Sequence, residues 1–367
     1  MLDTVRIPVY YNNAPCYDII LGQDVDFIES EISQFNLLNR KVAIVTDSNV
    51  GPLHATALEK VLKKVAKSVF VYTFTAGEEN KCLSTVQALY EYLIHHSFDR
   101  NDVLIALGGG VVGDLTGFTA ATYLRGIRFF QVPTSLLSMV DSSIGGKTGV
   151  DFSAYKNMVG AFYMPSGVYM NLSSLKTLKD KEYLSGMGEI IKHGLIKDDT
   201  YYNWMKENCE AIKQQDQSVV LPLVQRSCEI KREVVEHDPK EQGERALLNF
   251  GHSIGHAVEK LMDFKLLHGE CVAIGMVGAS YISMKRNLIT EKEFLDIKQT
   301  ISSFQLPTSI SGLTANDILS VMHKDKKVDA GMIKFVLIQR VGSAIVDTTV
   351  SKDEIMMAIN YLSGVEG

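Results

Sequence analysis

Four short apolar runs rich in β-branched and aromatic residues, 41–46, 68–73, 102–107 and 129–133, recur between longer amphipathic stretches over the first 135 residues. Each run is apolar nearly throughout and ends close to Asp, Gly or Pro. That pattern predicts parallel strands buried on both faces and joined by helices, with functional loops at their carboxyl ends. Beyond about residue 180 the periodicity turns helical, with few strand-like runs. The change falls between Asn171 and Lys181. The predicted fold class is therefore an α/β, Rossmann-like N-terminal domain with a largely parallel sheet, residues 1–177, followed by a mainly α-helical C-terminal domain, residues 178–367.

Residues 102–114 read as strand, then Gly108-Gly-Gly-Val-Val-Gly-Asp114, then helix, so Gly108, Gly110 and Gly113 satisfy G-x-G-x-x-G in a strand-to-helix setting. Glycines there let backbone N–H groups reach a pyrophosphate, and the helix N-terminus adds unpaired donors and a favourable dipole. A tight turn without a ligand is the alternative. The acidic residue expected about 20 positions further on is missing, because that stretch reads Ile127-Arg-Phe-Phe-Gln-Val132. Asp47, which closes the first run, is the better candidate for ribose hydroxyls. Glu78 and Lys81 either line the same crevice or start a solvated helix.

At about 100° per residue, a helix over 245–262 gathers Leu247, Phe250, Ile254, Val258 and Leu261 into one buried stripe. Arg245, Asn249, His252 and His256 fall on the opposite side. Gly251 and Gly255 cost such a helix up to about 1 kcal/mol each against alanine, which implies that something approaches its backbone closely. Two histidines at i, i+4 are able to share a metal, and His268, opening His268-Gly-Glu270, offers a third imidazole. A wheel over 184–195 puts Ser185, Glu189, Lys192 and His193 on one side and Leu184, Met187, Ile190, Ile191 and Leu195 on the other. Imidazoles, the Glu189 carboxylate and one open position would make a catalytic zinc site. A surface ion pair between Glu189 and Lys192 is the alternative.

The stretch Asp141-Ser-Ser-Ile-Gly-Gly-Lys-Thr-Gly-Val-Asp151 invites comparison with a P-loop, but Asp141 stands where that motif needs glycine. What remains is a glycine-rich turn presenting Lys147 beside Asp141, followed by Lys156-Asn157. If they converge with Lys192, Lys231, Arg245 and Lys326, these residues form a cationic pocket for a phosphate and a carboxylate.

Composition narrows the classes. The 367 residues, 46 % apolar and 22 % charged, are ordinary for a globular chain of about two domains. A chain of that length buries enough surface to fold without disulfides or a structural metal, so any metal serves chemistry. Net charge −6 argues against non-specific neutralisation of nucleic acid or an anionic membrane. The five cysteines (Cys16, Cys82, Cys209, Cys228 and Cys271) are scattered, without a C-x-x-C pair, and predict mostly buried thiols in a reducing compartment. No charged leader precedes an apolar segment, and no apolar window reaches about 18 residues. A soluble, cytoplasmic protein with no nucleic acid or membrane partner is expected.

Over nearly its whole length the chain resembles the 3-dehydroquinate synthase family of sugar phosphate cyclases. The resemblance is carried by Gly108-Gly-Gly-Val-Val-Gly-Asp114, Val132-Pro-Thr-Ser-Leu136, Val140-Asp-Ser-Ser-Ile-Gly-Gly-Lys-Thr148, Lys156-Asn157, Glu189-Ile-Ile-Lys192, Arg245-Ala-Leu-Leu-Asn-Phe-Gly-His-Ser-Ile-Gly-His256, His268-Gly-Glu270 and Asp325-Lys-Lys327, in the family's order and spacing. It implies that Glu189, His252 and His268 hold zinc, with cobalt an alternative, which replaces the reading in which both helical histidines bind metal. His256 then lies by the substrate. The matching substrate positions are Asp141, Lys147, Lys156, Asn157, Lys192, Lys231, Arg245, Asn249 and Lys326, and Glu241 matches an acidic residue near the family's metal. Of these, Lys147, Asn157, Lys192, Glu241, Arg245 and His256 are implied to act in catalysis. The NAD positions match Asp47, Asn49, Glu78, Lys81, Gly109, Gly110, Val111, Asp114, Thr134, Ser135, Leu137 and Thr177, joined by Asp141, Lys147 and Lys156. Three departures stand out: Gly188 where alanine is usual, Tyr155 where glycine is usual, and Asp238-Pro239 where Asp-Glu is usual.

The implied reaction converts a phosphorylated seven-carbon keto acid, 3-deoxy-D-arabino-heptulosonate 7-phosphate, to 3-dehydroquinate and phosphate. It runs through transient NAD-dependent oxidation, β-elimination of phosphate, re-reduction, ring opening and intramolecular aldol closure. The family also implies a homodimer. An NAD- and metal-dependent polyol dehydrogenase of the glycerol dehydrogenase type is the rival, and it has no use for so many phosphate-binding cations. Another sugar phosphate cyclase would be expected to change some of Lys231, Arg245 and Asn249, and a silent NAD-binding regulator has no need of Glu189, His252 and His268 together.

Overall fold

In the computed structural model, which describes residues 4–365 apart from 154, 264, 323–327, 330 and 331, Asn12 and Asn13 both take left-handed φ values, 52° and 61°. That pair turns strand β1 (Val5–Tyr11) back onto β2 (Ala14–Gly22) in a two-residue hairpin. Positive φ at both central residues matches the right-handed twist of the strands, and asparagine tolerates it. The chain divides into two compact units, Met1–Lys179 and Asp180–Gly367.

The four predicted runs are strands β3 (Lys41–Asp47), β4 (Ser68–Phe74), β5 (Val103–Gly108) and β6 (Arg128–Pro133). After the hairpin β7 (Lys147–Phe152) and β8 (Tyr155–Phe162) comes β9 (Val168–Asn171). Among the described residues the sheet has seven strands in the order β1-β2-β9-β6-β5-β3-β4, parallel throughout except for the β1–β2 pair. The pattern of apolar runs did not predict β1, β2 or β9. Pro8 lowers the strand signal of β1 and is tolerated because β1 is an edge strand, while β9 spans only four residues. The glycine-rich segment 141–151 is likewise more than a turn: Lys147 opens β7, which pairs with β8 from Lys147↔Phe162 onward.

Helices α1 (Phe27–Ser33) and α2 (Thr56–Leu62) cover one face of the sheet, α3 (Leu83–His95) and α4 (Gly110–Thr122) the other. Val42 and Ile44 pack with Leu58 and Leu62, while Ala43 and Val45 pack with Leu89 and Leu115. Burial on both faces is why these strands read as continuous apolar runs.

The second unit is built from α5 (Asp180–Lys197), α6 (Asp199–Glu207), α7 (Cys209–Lys213), α8 (Gln217–His237), α9 (His252–Leu261), α10 (His268–Lys285), α11 (Glu291–Ser303), α12 (Ala315–Met322) and α13 (Lys352–Leu362), with a hairpin of Phe335–Arg340 and Ser343–Asp347. Helix α10 is buried almost all round and packs against α5, α9, α11, α13 and that hairpin.

The helix predicted over 245–262 is two elements. A 3-10 turn, Glu244–Asn249, ends before Gly251, whose φ of 81° breaks the chain direction, and α9 starts at His252. The cause is α10: a Cβ on Gly275 would stand 1.8 Å from the Gly251 carbonyl oxygen, and one on Gly251 2.7 Å from that of Val272. At that separation the backbone of 251 has to turn, and glycine makes the left-handed turn without steric cost. Arg245 and Asn249 therefore do not share a helix face with His252 and His256.

Candidate active site

Strand β5 ends at Gly108 and α4 begins at Gly110, with Gly109 as its N-cap. The first N–H groups of a helix have no intrahelical carbonyl partner, which suits such an end to an anion. Val111 lies half-buried in its first turn. The loop after β6 faces this turn: a Cβ on Gly109 would meet Ser135 Oγ at 3.6 Å, and one on Gly110 would meet Ser142 Oγ at 3.2 Å. Thr134, buried, donates its backbone N–H to the Gly108 carbonyl at 3.0 Å. Leu137 and Asp141 are half-buried in the same stretch.

Asp47 closes β3 and accepts hydrogen bonds through Oδ1 from the N–H groups of Asn49 and Val50, at 2.8 and 2.9 Å. The turn Gly51–Ala55 that follows carries His54, whose Nε2 is 2.8 Å from Thr177 Oγ1. Burial lowers the His54 pKa, favouring the neutral ring. Asp47, Asn49 and Thr177 thus belong to one region at the carboxyl end of β3. Strands β3 and β5 are neighbours whose onward connections run in opposite directions, to β4 and to β6. Ligands of open α/β sheets bind at such a switch point.

A second group gathers around Lys81, which is buried. Its ammonium donates to Asp114 Oδ2 and to Asn157 Oδ1, both at 2.6 Å. Burial works against the charged form, but Asp114, Glu78 and Asp151 outweigh it and hold the Lys81 pKa above the usual lysine range. Lys156 lies 3.5 Å from Glu78. Asp151, which the sequence reading did not single out, accepts the backbone N–H of Asn157 at 2.7 Å and supports its left-handed φ of 52°. A carboxylate six residues before Asn157 across a hairpin turn was the available signal. Lys147 is exposed at the start of β7.

In the second unit α5 is buried on all sides from Ser185 to Ile196, so the expected polar side of the wheel is interior. Glu189 is 0 % and Lys192 1 % exposed. They do form an ion pair, through Glu189 Oε2, but a buried one rather than the surface pair weighed from sequence. The other oxygen, Oε1, stands 3.6 Å from His252 Nε2 and 3.5 Å from His268 Nε2. Those spacings exceed hydrogen bonds and match the edges, about 3.3–3.6 Å, of a tetrahedron around an ion bonded at about 2.0–2.2 Å. One carboxylate oxygen and two imidazole nitrogens thus fit a borderline cation such as zinc, and these three residues group within ligand reach. His252 Nδ1 lies 3.1 Å from the Phe250 carbonyl. A carbonyl only accepts, so Nδ1 carries the proton and Nε2 presents its lone pair to the site. Burial favours neutral His268, but Glu189 and Glu259 outweigh it and push its pKa up to about 9. A cation bound there would expel that proton.

The remaining predicted residues sit on the segment before α9. Asp238 accepts three backbone N–H groups, from Gln242, Gly243 and Arg245, at 2.9, 2.7 and 3.0 Å. Burial opposes ionisation of Asp238, but these bonds outweigh it and hold its pKa below the usual range. Arg245 is buried and donates to the Pro239 carbonyl at 2.7 Å. Glu241 accepts from Asn249 Nδ2 at 2.7 Å. Lys231 is buried on α8, which packs against the 3-10 turn. His256 lies one turn beyond His252, with ring centroids 5.0 Å apart. Lys326 lies outside the described residues.

A glycine-rich strand-to-helix turn thus lies in the α/β unit, and a Glu/His/His group lies in the helical unit that follows it. A 2-deoxy-scyllo-inosose synthase solved with carbaglucose-6-phosphate, NAD+ and Co2+ matches 97 % of this chain and 100 % of its own, with a TM-score of 0.89 at 24 % identity. The 2-epi-5-epi-valiolone synthase of Streptomyces hygroscopicus, with NAD+ and Zn2+ bound, matches 94 % of this chain and 96 % of its own, with a TM-score of 0.86 at 26 % identity. Models of the 3-dehydroquinate synthase N-terminal and C-terminal domains match residues 71–185 and 186–328. A 3-dehydroquinate synthase of Acetivibrio thermocellus is 42 % identical over 343 residues, 94 % of this chain and 95 % of that one. The chain belongs to the 3-dehydroquinate synthase family. It is an enzyme of that cyclase and lyase type, and the polyol dehydrogenase alternative is not favoured.

Proposed function

We propose that this chain cyclises 3-deoxy-D-arabino-heptulosonate 7-phosphate to 3-dehydroquinate with release of phosphate, using residues 1–177 for NAD and residues 178–367 for the metal. The observation that carries the reading is the Glu189 oxygen set 3.5 and 3.6 Å from two imidazole nitrogens, in a chain of this family. When bound, NAD+ takes up and returns one hydride, and zinc, or cobalt in its place, polarises the hydroxyl being oxidised.

Glu189, His252 and His268 hold the metal, and Lys192 neutralises the second oxygen of Glu189. The N-terminus of α4, from Gly109 through Val111, binds pyrophosphate. Asp47, Asn49, Glu78, Lys81, Asp114, Thr134, Ser135, Leu137 and Thr177 surround the rest of the nucleotide, aided by Asp141, Lys147 and Lys156. Lys147, Asn157 and His256 hold the substrate phosphate, whose own oxygen takes the proton lost in β-elimination. Arg245, Lys231, Asn249 and Lys326 orient the carboxylate and ring hydroxyls, and Glu241 fixes Asn249. Asp141, Lys156 and Lys192 complete the substrate contacts.

No helix among the described residues is long and apolar enough to cross a membrane. We place the enzyme in the cytoplasm as a homodimer that engages neither nucleic acid nor membrane. The test is a reaction of purified protein with the heptulosonate phosphate, Zn2+ and catalytic NAD+. Stoichiometric phosphate and dehydroquinate without net NADH is the expected result. NADH accumulating on simple polyols, with no phosphate released, would overturn it.

A further inference from the structure

Helix α9 carries His252, His256 and Glu259 at positions i, i+4 and i+7, within about 60° of one another around its axis. The Glu259 side chain is 7 % exposed, and burying a carboxylate is costly unless it is matched to a donor. Its Oε2 stands 3.7 Å from His268 Nδ1, on the far side of the ring from the nitrogen that faces Glu189. His268 is thus flanked by one carboxylate at each ring nitrogen. At His252 the arrangement has the same logic, with the Phe250 carbonyl at Nδ1 and Glu189 at Nε2.

We propose that Glu259 is a positioning residue for the metal ligand His268: in the metal-bound protein the 3.7 Å separation, longer than a hydrogen bond, closes so that Glu259 accepts the Nδ1 proton, fixes the tautomer and aims the Nε2 lone pair at the metal. A carboxylate behind a ligating imidazole also raises its basicity, and removing such a partner typically weakens metal affinity about 10–100-fold. His256, Glu259 and His268 also group closely enough to suggest a second ion. A neutral imidazole has one lone pair, so His268 serves one cation. The proposal rests on the reading of Glu189, His252 and His268 as the metal ligands.

The test is a Co2+ titration of the full chain, read by d–d absorption and by competition with a chromophoric chelator, for wild type, His268→Ala, Glu259→Gln and Glu259→Ala. One equivalent bound by wild type and a severe loss in His268→Ala are expected. Glu259→Ala should bind about 10–100-fold more weakly with an altered spectrum, and Glu259→Gln, which keeps an acceptor oxygen, should fall between. Metal binding unchanged in His268→Ala would overturn the ligand reading and this proposal with it. A loss in His268→Ala with wild-type affinity and spectrum in both Glu259 variants would overturn this proposal alone. So would two equivalents in wild type, one of them lost in Glu259→Ala. Because Glu259 is buried, a measurement on unaltered protein stands beside these: with 15N-labelled histidine and Zn2+, His268 should show a protonated Nδ1 and a metal-bound Nε2. A protonated Nε2 overturns the proposal.

Discussion

Gly269 donates its backbone N–H to Ser185 Oγ at 3.1 Å, and a Cβ at position 269 would stand 1.8 Å from the Ser185 carbonyl oxygen. A Cβ on Gly188 would in turn stand 2.5 Å from the carbonyl oxygen of Gly269. This contact between α5 and the start of α10 brings Glu189 within reach of His268. Gly269→Ala has to push the two backbones apart. It should cost about 3 kcal/mol and weaken metal binding as well, measured by urea unfolding and Co2+ titration. A variant as stable and as metal-avid as wild type would show that the contact does not set the ligand spacing.

Lys192 has its ammonium on Glu189 with both side chains buried. Removing only the acid leaves a cation in the interior, a loss of about 3–5 kcal/mol. Glu189→Ala should therefore lose both stability and activity, whereas His252→Ala should lose activity at a smaller cost in stability. Glu189→Ala combined with Lys192→Met should recover much of the stability and none of the turnover. Equal unfolding midpoints for the two single variants would contradict this.

Asp151 holds Asn157 through a 2.7 Å backbone bond, and Asn157 in turn holds Lys81. Asp151→Ala should lower kcat/KM about tenfold, a loss near 1.4 kcal/mol, while the melting temperature changes little. Asp151→Asn keeps an acceptor and should retain most of the activity. Wild-type kinetics in Asp151→Ala would remove Asp151 from the account.

Arg286 binds Glu354 through two nitrogens, one of the contacts at 2.8 Å, and reaches Asp347 at 3.0 Å. The pairing with Arg286 is the main reason the Glu354 pKa falls from 4.5 to about 2. The folded value lies below the unfolded one, so this group stabilises the fold above about pH 4.5 and loses its effect as pH falls toward 2. Its partial exposure to water reduces the gain to about 1–2 kcal/mol. Glu354→Gln should be less stable than wild type by that amount at pH 7, and the difference should narrow steadily below pH 4.5. A difference independent of pH would assign the loss to packing instead.

Features that neighbouring residues decide among themselves were legible along the chain. Runs such as 41–46 and 102–107 declared strands buried on both faces, and Gly108 to Gly113 declared a strand-to-helix turn, because strand periodicity and glycine backbone freedom are local properties. The family motifs likewise singled out Glu189, His252 and His268. The rest depends on contacts between segments far apart in the chain. The close passage of Gly275 breaks the predicted helix at Gly251. The Ser185–Gly269 contact sets the spacing between a carboxylate and an imidazole that lie 79 residues apart. The surroundings of α5 turn an expected polar face into an interior one, so that Lys192 becomes a buried partner of Glu189. Glu259 reads as one more acidic residue on a helix until the fold sets it behind His268, because a side chain's role depends on which groups share its low-dielectric surroundings, and packing alone determines those.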